Sequence, residues 1–150
     1  MPRKQRKSTG SCSICSGIPE YKFVETLHTS ERLPEEVDQL LVIGGYGLYG
    51  CEQVRKCPEC GTFYSFLHDH DSESGVGYGY TDEAIQRLSP EKALDLIEKT
   101  LKLTTHDLAY WDEKRKRKGA IIPPFLDKQR AEVKLLETER DALRKKLDVS

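Results

Sequence analysis

The chain has 150 residues, of which 37% are hydrophobic and 33% charged, with a mean hydropathy of −0.64. That composition fits one ordinary domain, or a small domain with a helical arm, and its core cannot fill the whole chain. The net charge of −1 conceals an asymmetry: residues 1–11 carry Arg3, Lys4, Arg6 and Lys7 and no acid, and residues 111–150 carry 12 basic and 8 acidic side chains, which leaves −9 on the stretch between them.

An acidic body with two basic ends is not a uniform nucleic-acid-binding surface. No apolar run approaches the roughly 18 residues that a membrane span needs. The basic N-terminus has no apolar stretch behind it and does not read as a secretory signal. The expectation is a cytoplasmic protein with no membrane contact.

Residues 1–11 read as a disordered basic tail. The alternation of apolar and polar residues from Tyr21 to Leu27 predicts a strand. Pro34 to Leu41, with a proline and acids at its start, predicts a short helix, and the glycine-rich stretch from Gly44 to Gly50 a loop. Glu52 to Lys56 is a short strand leading into Cys57. The aromatic-rich segments Thr62 to His70 and Val76 to Thr81 flank Ser72-Glu73-Ser74-Gly75 and predict a hairpin.

Ser89-Pro90-Glu91 supplies a cap, a first-turn proline and an acid for a helix. Ala93, Leu94, Ile97, Leu101, Thr104 and Leu108 then recur at helical spacing, with a possible break at the capping sequence that starts at Thr104. Pro123-Pro124 forbids helix continuation, and a last helix is expected from about Phe125 to Leu147. Leu126, Val133, Arg140 and Leu147 in one column, with Gln129, Leu136 and Leu143 in another, give it a narrow coiled-coil-like seam. Its candidate partners are the preceding helix, a second copy of the chain in a homo-oligomer, or another protein.

Five cysteines include two Cys-x-x-Cys pairs, Cys12/Cys15 and Cys57/Cys60, the second followed by Gly61 and the first by Ser16-Gly17. Two residues between cysteines let one tight turn aim both sulfurs at a single ion. A glycine just beyond supplies the positive φ such a turn often needs. Without a secretion signal, this pattern favours metal over disulfides. Four thiolates make a closed tetrahedral site and select zinc or iron over hard cations. Lys56 and Arg55 are placed to offset the site's negative charge. The competing reading is buried or redox-active thiols.

These pairs, above all Cys57-Pro58-Glu59-Cys60-Gly61 followed by an aromatic strand, resemble zinc-ribbon proteins over residues 12–80. The resemblance implies a structural Zn2+ held by Cys12, Cys15, Cys57 and Cys60. The 41 residues between the pairs depart from a compact ribbon, and the linking segment must carry added structure.

Other signals are weaker. Gly45 to Gly50 matches G-x-G-x-x-G, but a dinucleotide site needs a helix to start there, and Pro58 and the cysteines leave no room for one. His68-Asp69-His70-Asp71 would put His68 and His70 on one face of a strand. It reads as the polar end of a hairpin, with a second metal site as the alternative. Cys51 reads as a half-buried structural cysteine rather than a nucleophile with His68 as base. Lys114 to Lys118 reads as a solvated helix end, with phosphate contact as the alternative.

The expected architecture is α+β: a basic tail over 1–11, a zinc-ribbon-like β unit with an inserted loop over 12–88, a helical segment over 89–118, a linker over 119–124 and an amphipathic helix over 125–150. The expected function is a small zinc-stabilised protein-interaction module and not an enzyme, with an immunity or defence accessory protein as the analogy. A zinc-ribbon nucleic-acid-binding protein using its basic ends is the alternative, with weak binding expected.

Overall fold

The computed structural model describes residues 12–25, 30–46, 50–71, 80–115, 119 and 126–149. The expected basic tail over residues 1–11 and most of the linker lie outside them. Among the described residues, five strands and two α-helices follow in chain order: β1 (Tyr21–Glu25), β2 (Leu41–Tyr46), β3 (Gly50–Lys56), β4 (Phe63–Asp71), β5 (Tyr80–Leu88), α1 (Pro90–Arg115) and α2 (Leu126–Val149). Short 3-10 turns lie at Cys15–Gly17 and Glu35–Gln39. The strands form one antiparallel sheet in the order β1-β5-β4-β3-β2. The architecture is α+β, with the helices after the sheet.

Because side chains alternate along a strand, neighbouring residues of β4 enter different cores. Tyr64 and Phe66, with Ile85 of β5, pack under the cysteine turns and against Ile14, Ile18, Val37 and Leu40. On the opposite face, Phe63 and Val54 join Ile43, Ala93, Leu96, Ile97 and Leu101, together with Leu136 and Leu143 of α2. The sheet therefore carries the cysteine turns and the segment around Val37 on one side, and on the other the two helices, which pack mainly on β2, β3 and β4.

The segment between the cysteine pairs carries added structure, as its length led one to expect. It holds β1, the Glu35–Gln39 turn, β2 and β3. Gly44 and Gly45 belong to strand β2, with an irregularity in the register between Val42 and Gly44. The expected helix from Pro34 is a 3-10 turn, closed by Val37 N–H to Pro34 O and Leu40 N–H to Val37 O. A 3-10 turn stacks residues i and i+3, which brings Val37 and Leu40 into one core. Among the described residues no helix follows the glycines; β2 pairs with β3, so the dinucleotide motif lacks its structural context.

The start of α1 follows the sequence. Ser89 Oγ accepts from Lys92 N–H at 3.2 Å, and Ser89 O from Ala93 N–H at 2.8 Å. Of the two options near Thr104, the helix runs on without a break. Thr100 and Thr105 turn their hydroxyls back onto the carbonyls of Leu96 and Leu101, at 2.7 and 2.8 Å, so these side chains do not compete for the helix's N–H groups. Thr104 itself is buried. α2 lies antiparallel to α1: near its start Gln129 donates to Asp107 and Arg130 to Asp112, while near its end Arg144 donates to Glu98, earlier in α1. The exposed ion pairs contribute roughly 0.2–1 kcal/mol each. Burial of Leu126, Leu136 and Leu143, at about 1.5–3 kcal/mol per side chain, holds the helix more firmly. The apolar seam of α2 is thus occupied within the chain.

Candidate metal centre

Each cysteine pair is shaped by its own backbone. In the first turn, Ser16 N–H donates to Cys12 O at 3.0 Å and Ile18 N–H to Cys15 O at 3.0 Å. In the second, Gly61 N–H donates to Cys57 O at 2.9 Å and Cys57 N–H to Thr62 O at 2.8 Å. Gly61 has φ +82°, a left-handed conformation that a side chain disfavours. It lets the chain fold back after Cys60 and enter β4 at Phe63. β3 delivers Cys57 to the sheet face on which Tyr64 lies.

The two turns meet. Cys12 Sγ lies 3.6 Å from Cys57 Sγ, and Cys15 Sγ 3.4 Å from Cys60 Sγ. All four ligand atoms lie within 4.8 Å of one another. A tetrahedron with metal–sulfur bonds of about 2.3 Å places its sulfurs about 3.8 Å apart, within this range. None of the four is in a disulfide, and Cys12, Cys15 and Cys57 are buried while Cys60 is exposed. The four cysteines named from spacing are brought to one point, and the cluster can hold a metal ion.

Neighbouring groups hold the sulfurs in place. Cys15 N–H donates to Cys12 Sγ at 3.4 Å, and Thr62 Oγ1 lies 3.1 Å from Cys60 Sγ. Ser13 Oγ donates to Glu59 Oε1 at 2.6 Å, joining the two turns outside the cluster. That bond draws the Glu59 carboxyl below its ordinary pKa. Thr62, Ser13 and Glu59 were not singled out in the sequence; the Ser13–Glu59 bond depends on the two turns facing each other, which spacing does not reveal, whereas Thr62 acts within the second turn.

Burial pushes the Cys12 thiol up, against the opposing pull of the Cys15 and Ile14 N–H groups. Burial likewise pushes Cys15 up to about 12. At Cys60 burial acts in the same direction but is outweighed by the Thr62 hydroxyl and N–H and by neighbouring thiols, which bring it down to about 7. Beneath the cluster the Tyr64 side chain is fully buried, and burial together with the Cys15 sulfur raises its phenol.

The two cations expected to balance the site are committed elsewhere. Lys56 pairs with Glu139 of α2 at 3.0 Å. Arg55 donates to Val37 O at 2.9 Å, and its guanidinium lies 3.9 Å from the Phe66 ring centroid. Arg87 donates to Ile18 O at 3.1 Å. The two arginines thereby tie the Val37 segment and the first cysteine turn to the sheet.

His68 is not at the cluster. It stacks on Phe66 and pairs with Glu83 Oε2 at 3.2 Å. Cys51 is its cross-strand partner in the backbone register, but the side chains of Cys51 and His70 lie outside the described residues. Among the described residues, two surface grooves measure about 270 and 390 Å³. The first is lined by residues such as Ser65, Gln86 and Lys92, the second by Val42, Lys128 and Leu135. Neither includes His68 or a cysteine. Among the described residues, no helix is long and apolar enough to cross a membrane. Comparison with protein-family models, curated proteins and solved structures gave no match.

Proposed function

We propose that the chain is a small protein-interaction module of the cytoplasm, held in shape by one structural zinc ion on Cys12, Cys15, Cys57 and Cys60. One observation carries the reading: four sulfurs converge between two turns on one face of the sheet. Such a set fills every position of a tetrahedral ion and leaves none for a substrate or water. Thiolate softness favours zinc or iron. The metal's contribution is then to join the turns, and recognition falls to the surface. Structural zinc in small zinc-finger domains contributes on the order of 10–16 kcal/mol, enough to decide whether this half folds. Capture of a basic partner by an acidic body is the task of an immunity or defence accessory protein, and that analogy guides the search for the partner.

A second reading is nucleic-acid binding through the basic ends. It is favoured by Tyr21 and Phe23, aromatic side chains 60% and 51% exposed on the sheet and able to stack on bases. The experiment that separates the two is a salt titration of fluorescent single- and double-stranded oligonucleotides, run on the zinc-loaded chain. The proposed module binds them no more tightly than the roughly 10⁻⁴–10⁻⁶ M of non-specific contacts. Nanomolar binding at about 150 mM salt, lost when residues 1–11 and Lys114 to Lys118 are neutralised, overturns it. Elemental analysis of the same sample reads the metal: one zinc per chain is expected, and a folded, reduced, metal-free protein would refute the zinc assignment.

A further inference from the structure

The helix-bearing face of the sheet is only partly covered. α1 packs mainly on β2, β3 and β4, and among the described residues the β1 side of the same face is left open, with Tyr21 and Phe23 exposed. The register shows what lies there. Tyr21 of β1 is opposite Gln86 of β5, which is opposite Ser65 of β4. One pleat further, Phe23, Ala84 and Leu67 form a row across the same strands. Ser65 pairs with Val54 and Leu67 with Glu52. Val54 is in the helix-side core and Glu52 pairs with Lys99 of α1, which fixes these rows on the helix side.

Tyr21, Phe23 and Leu67 are 60%, 51% and 45% exposed. Adjacent strands are about 4.8 Å apart, so Phe23 and Leu67 bracket Ala84 over about 10 Å. This is a contiguous apolar surface, not scattered residues, and contiguity is what marks interaction sites. The groove of about 270 Å³ between α1 and the sheet continues it past Gln86 and Ser65.

The next row on the same face is acidic throughout: Glu25, Asp82 and Asp69, again directly opposite one another. Two residues along a strand advance it about 6.7 Å, within one Debye length of the apolar row at physiological salt, about 8 Å. A base stacked on Tyr21 or Phe23 would bring its phosphates against these carboxylates, in a body carrying −9 between its basic ends. A lysine or arginine in the same place is attracted.

We infer that this open face docks a segment of a partner protein that lays apolar side chains on Tyr21, Phe23 and Leu67 and basic side chains on the row Glu25–Asp82–Asp69. The inference rests on the reading of the chain as a protein-interaction module and names its surface and the chemistry of its partner.

The test uses the full zinc-loaded chain, isotope-labelled for NMR. Three probes are titrated: a 12-residue peptide of alternating Leu and Lys, its Leu/Glu counterpart, and a 12-nucleotide single strand. The Leu/Lys peptide is expected to shift amides around Tyr21, Phe23, Ala84 and Leu67, and the Leu/Glu peptide to leave them unmoved. Phe23→Ser should weaken binding by about tenfold or more, as truncation of a central aromatic anchor does. Leu67→Ser, on another strand, gives the same readout if the first variant loses structure. Glu25→Lys with Asp69→Lys should weaken it further and flatten its salt dependence.

Equal binding of both peptides, no binding of the Leu/Lys peptide, or unchanged affinity in the variants overturns the inference. Leu/Lys binding elsewhere on the chain overturns this surface and leaves the module reading standing. Tight oligonucleotide binding on these strands overturns both.

Discussion

Leu136 of α2 lies directly over Gly44 of β2: a Cβ added at Gly44 would come within 2.9 Å of Leu136 Cδ1 and 3.0 Å of its Cδ2 and Cγ. Leu136 is fully buried and has no free direction in which to give. Gly44→Ala should therefore destabilise by about 1–3 kcal/mol through overpacking, and Leu136→Ala by about 2–5 kcal/mol through the cavity it leaves. The two changes fill and empty the same space, so the double variant should lose less than the sum of the single losses. Urea unfolding of the four proteins checks this; strict additivity would mean that the two residues do not meet.

At the metal centre, Cys57→Ser should lose the metal and unfold the half of the molecule around Tyr64 and Val37, because Cys57 is one of the buried members of that core and its sulfur closes the set. Cys51→Ser should leave metal content near wild type. Elemental analysis and circular dichroism of both variants decide it. A metal content halved in the Cys51 variant would show that the ligand set is misassigned.

How much of this was legible in the sequence differs between the two halves of the molecule. The cysteine cluster was readable because Cys-x-x-Cys spacing fixes the local geometry of each turn, so Cys12, Cys15, Cys57 and Cys60 needed only to meet. The residues around them were not readable, since the Ser13–Glu59 bond joins positions 46 apart in the chain. Ser89-Pro90 fixed the start of α1 because a cap is a local device. β5 was harder to see: Ile85 faces the cysteine side, while Ala84 and Leu88 face the helix side, and burial on both faces blurs the alternation that marks a half-exposed strand. Gly44 looked like a loop residue for a similar reason. Its lack of a side chain serves the approach of Leu136, which lies 92 positions away and leaves no local trace.

The joint marked by Gly119 and Pro123-Pro124 separates α2 along the chain, yet α2 shares its core with the sheet. Leu136 and Leu143 pack with Ile43, Val54 and Phe63, and Glu139 takes the ammonium of Lys56, the residue before Cys57. Removing residues 120–150 exposes that face at once. With about 2–5 kcal/mol attached to each buried leucine, the loss is comparable with the roughly 5–15 kcal/mol that holds a whole domain. The truncated chain should lose its cooperative thermal transition and bind a hydrophobic dye. An unchanged transition would show that the sheet and α1 form a sufficient core without α2.

Glu132 provides a pH-dependent test of how α2 meets the edge of the sheet. Its carboxylate lies at the half-buried contact between α2 and β2; burial raises its pKa, with Lys128 and the N–H of Gly45 pulling the other way. A carboxyl whose folded pKa lies above its unfolded value favours the folded state while it is protonated. That contribution is present below the unfolded pKa and is lost as pH rises through the folded one. At neutral pH the ionised group therefore weighs against folding. Glu132→Gln keeps an oxygen that can accept from Gly45 N–H and removes the charge that burial penalises, at the cost of the attraction to Lys128. Because burial is the largest of the three influences, the variant should melt at or above the wild-type temperature at pH 7. The difference should shrink as pH falls into and below the ordinary carboxylate range, where wild-type Glu132 is itself protonated. Melting curves of both proteins between pH 7 and pH 4, compared at matched metal content, provide the measurement. A variant less stable at pH 7, with a deficit that closes on acidification, would show that the charge is held favourably by Lys128 and Gly45 and that burial is not the dominant influence at this contact.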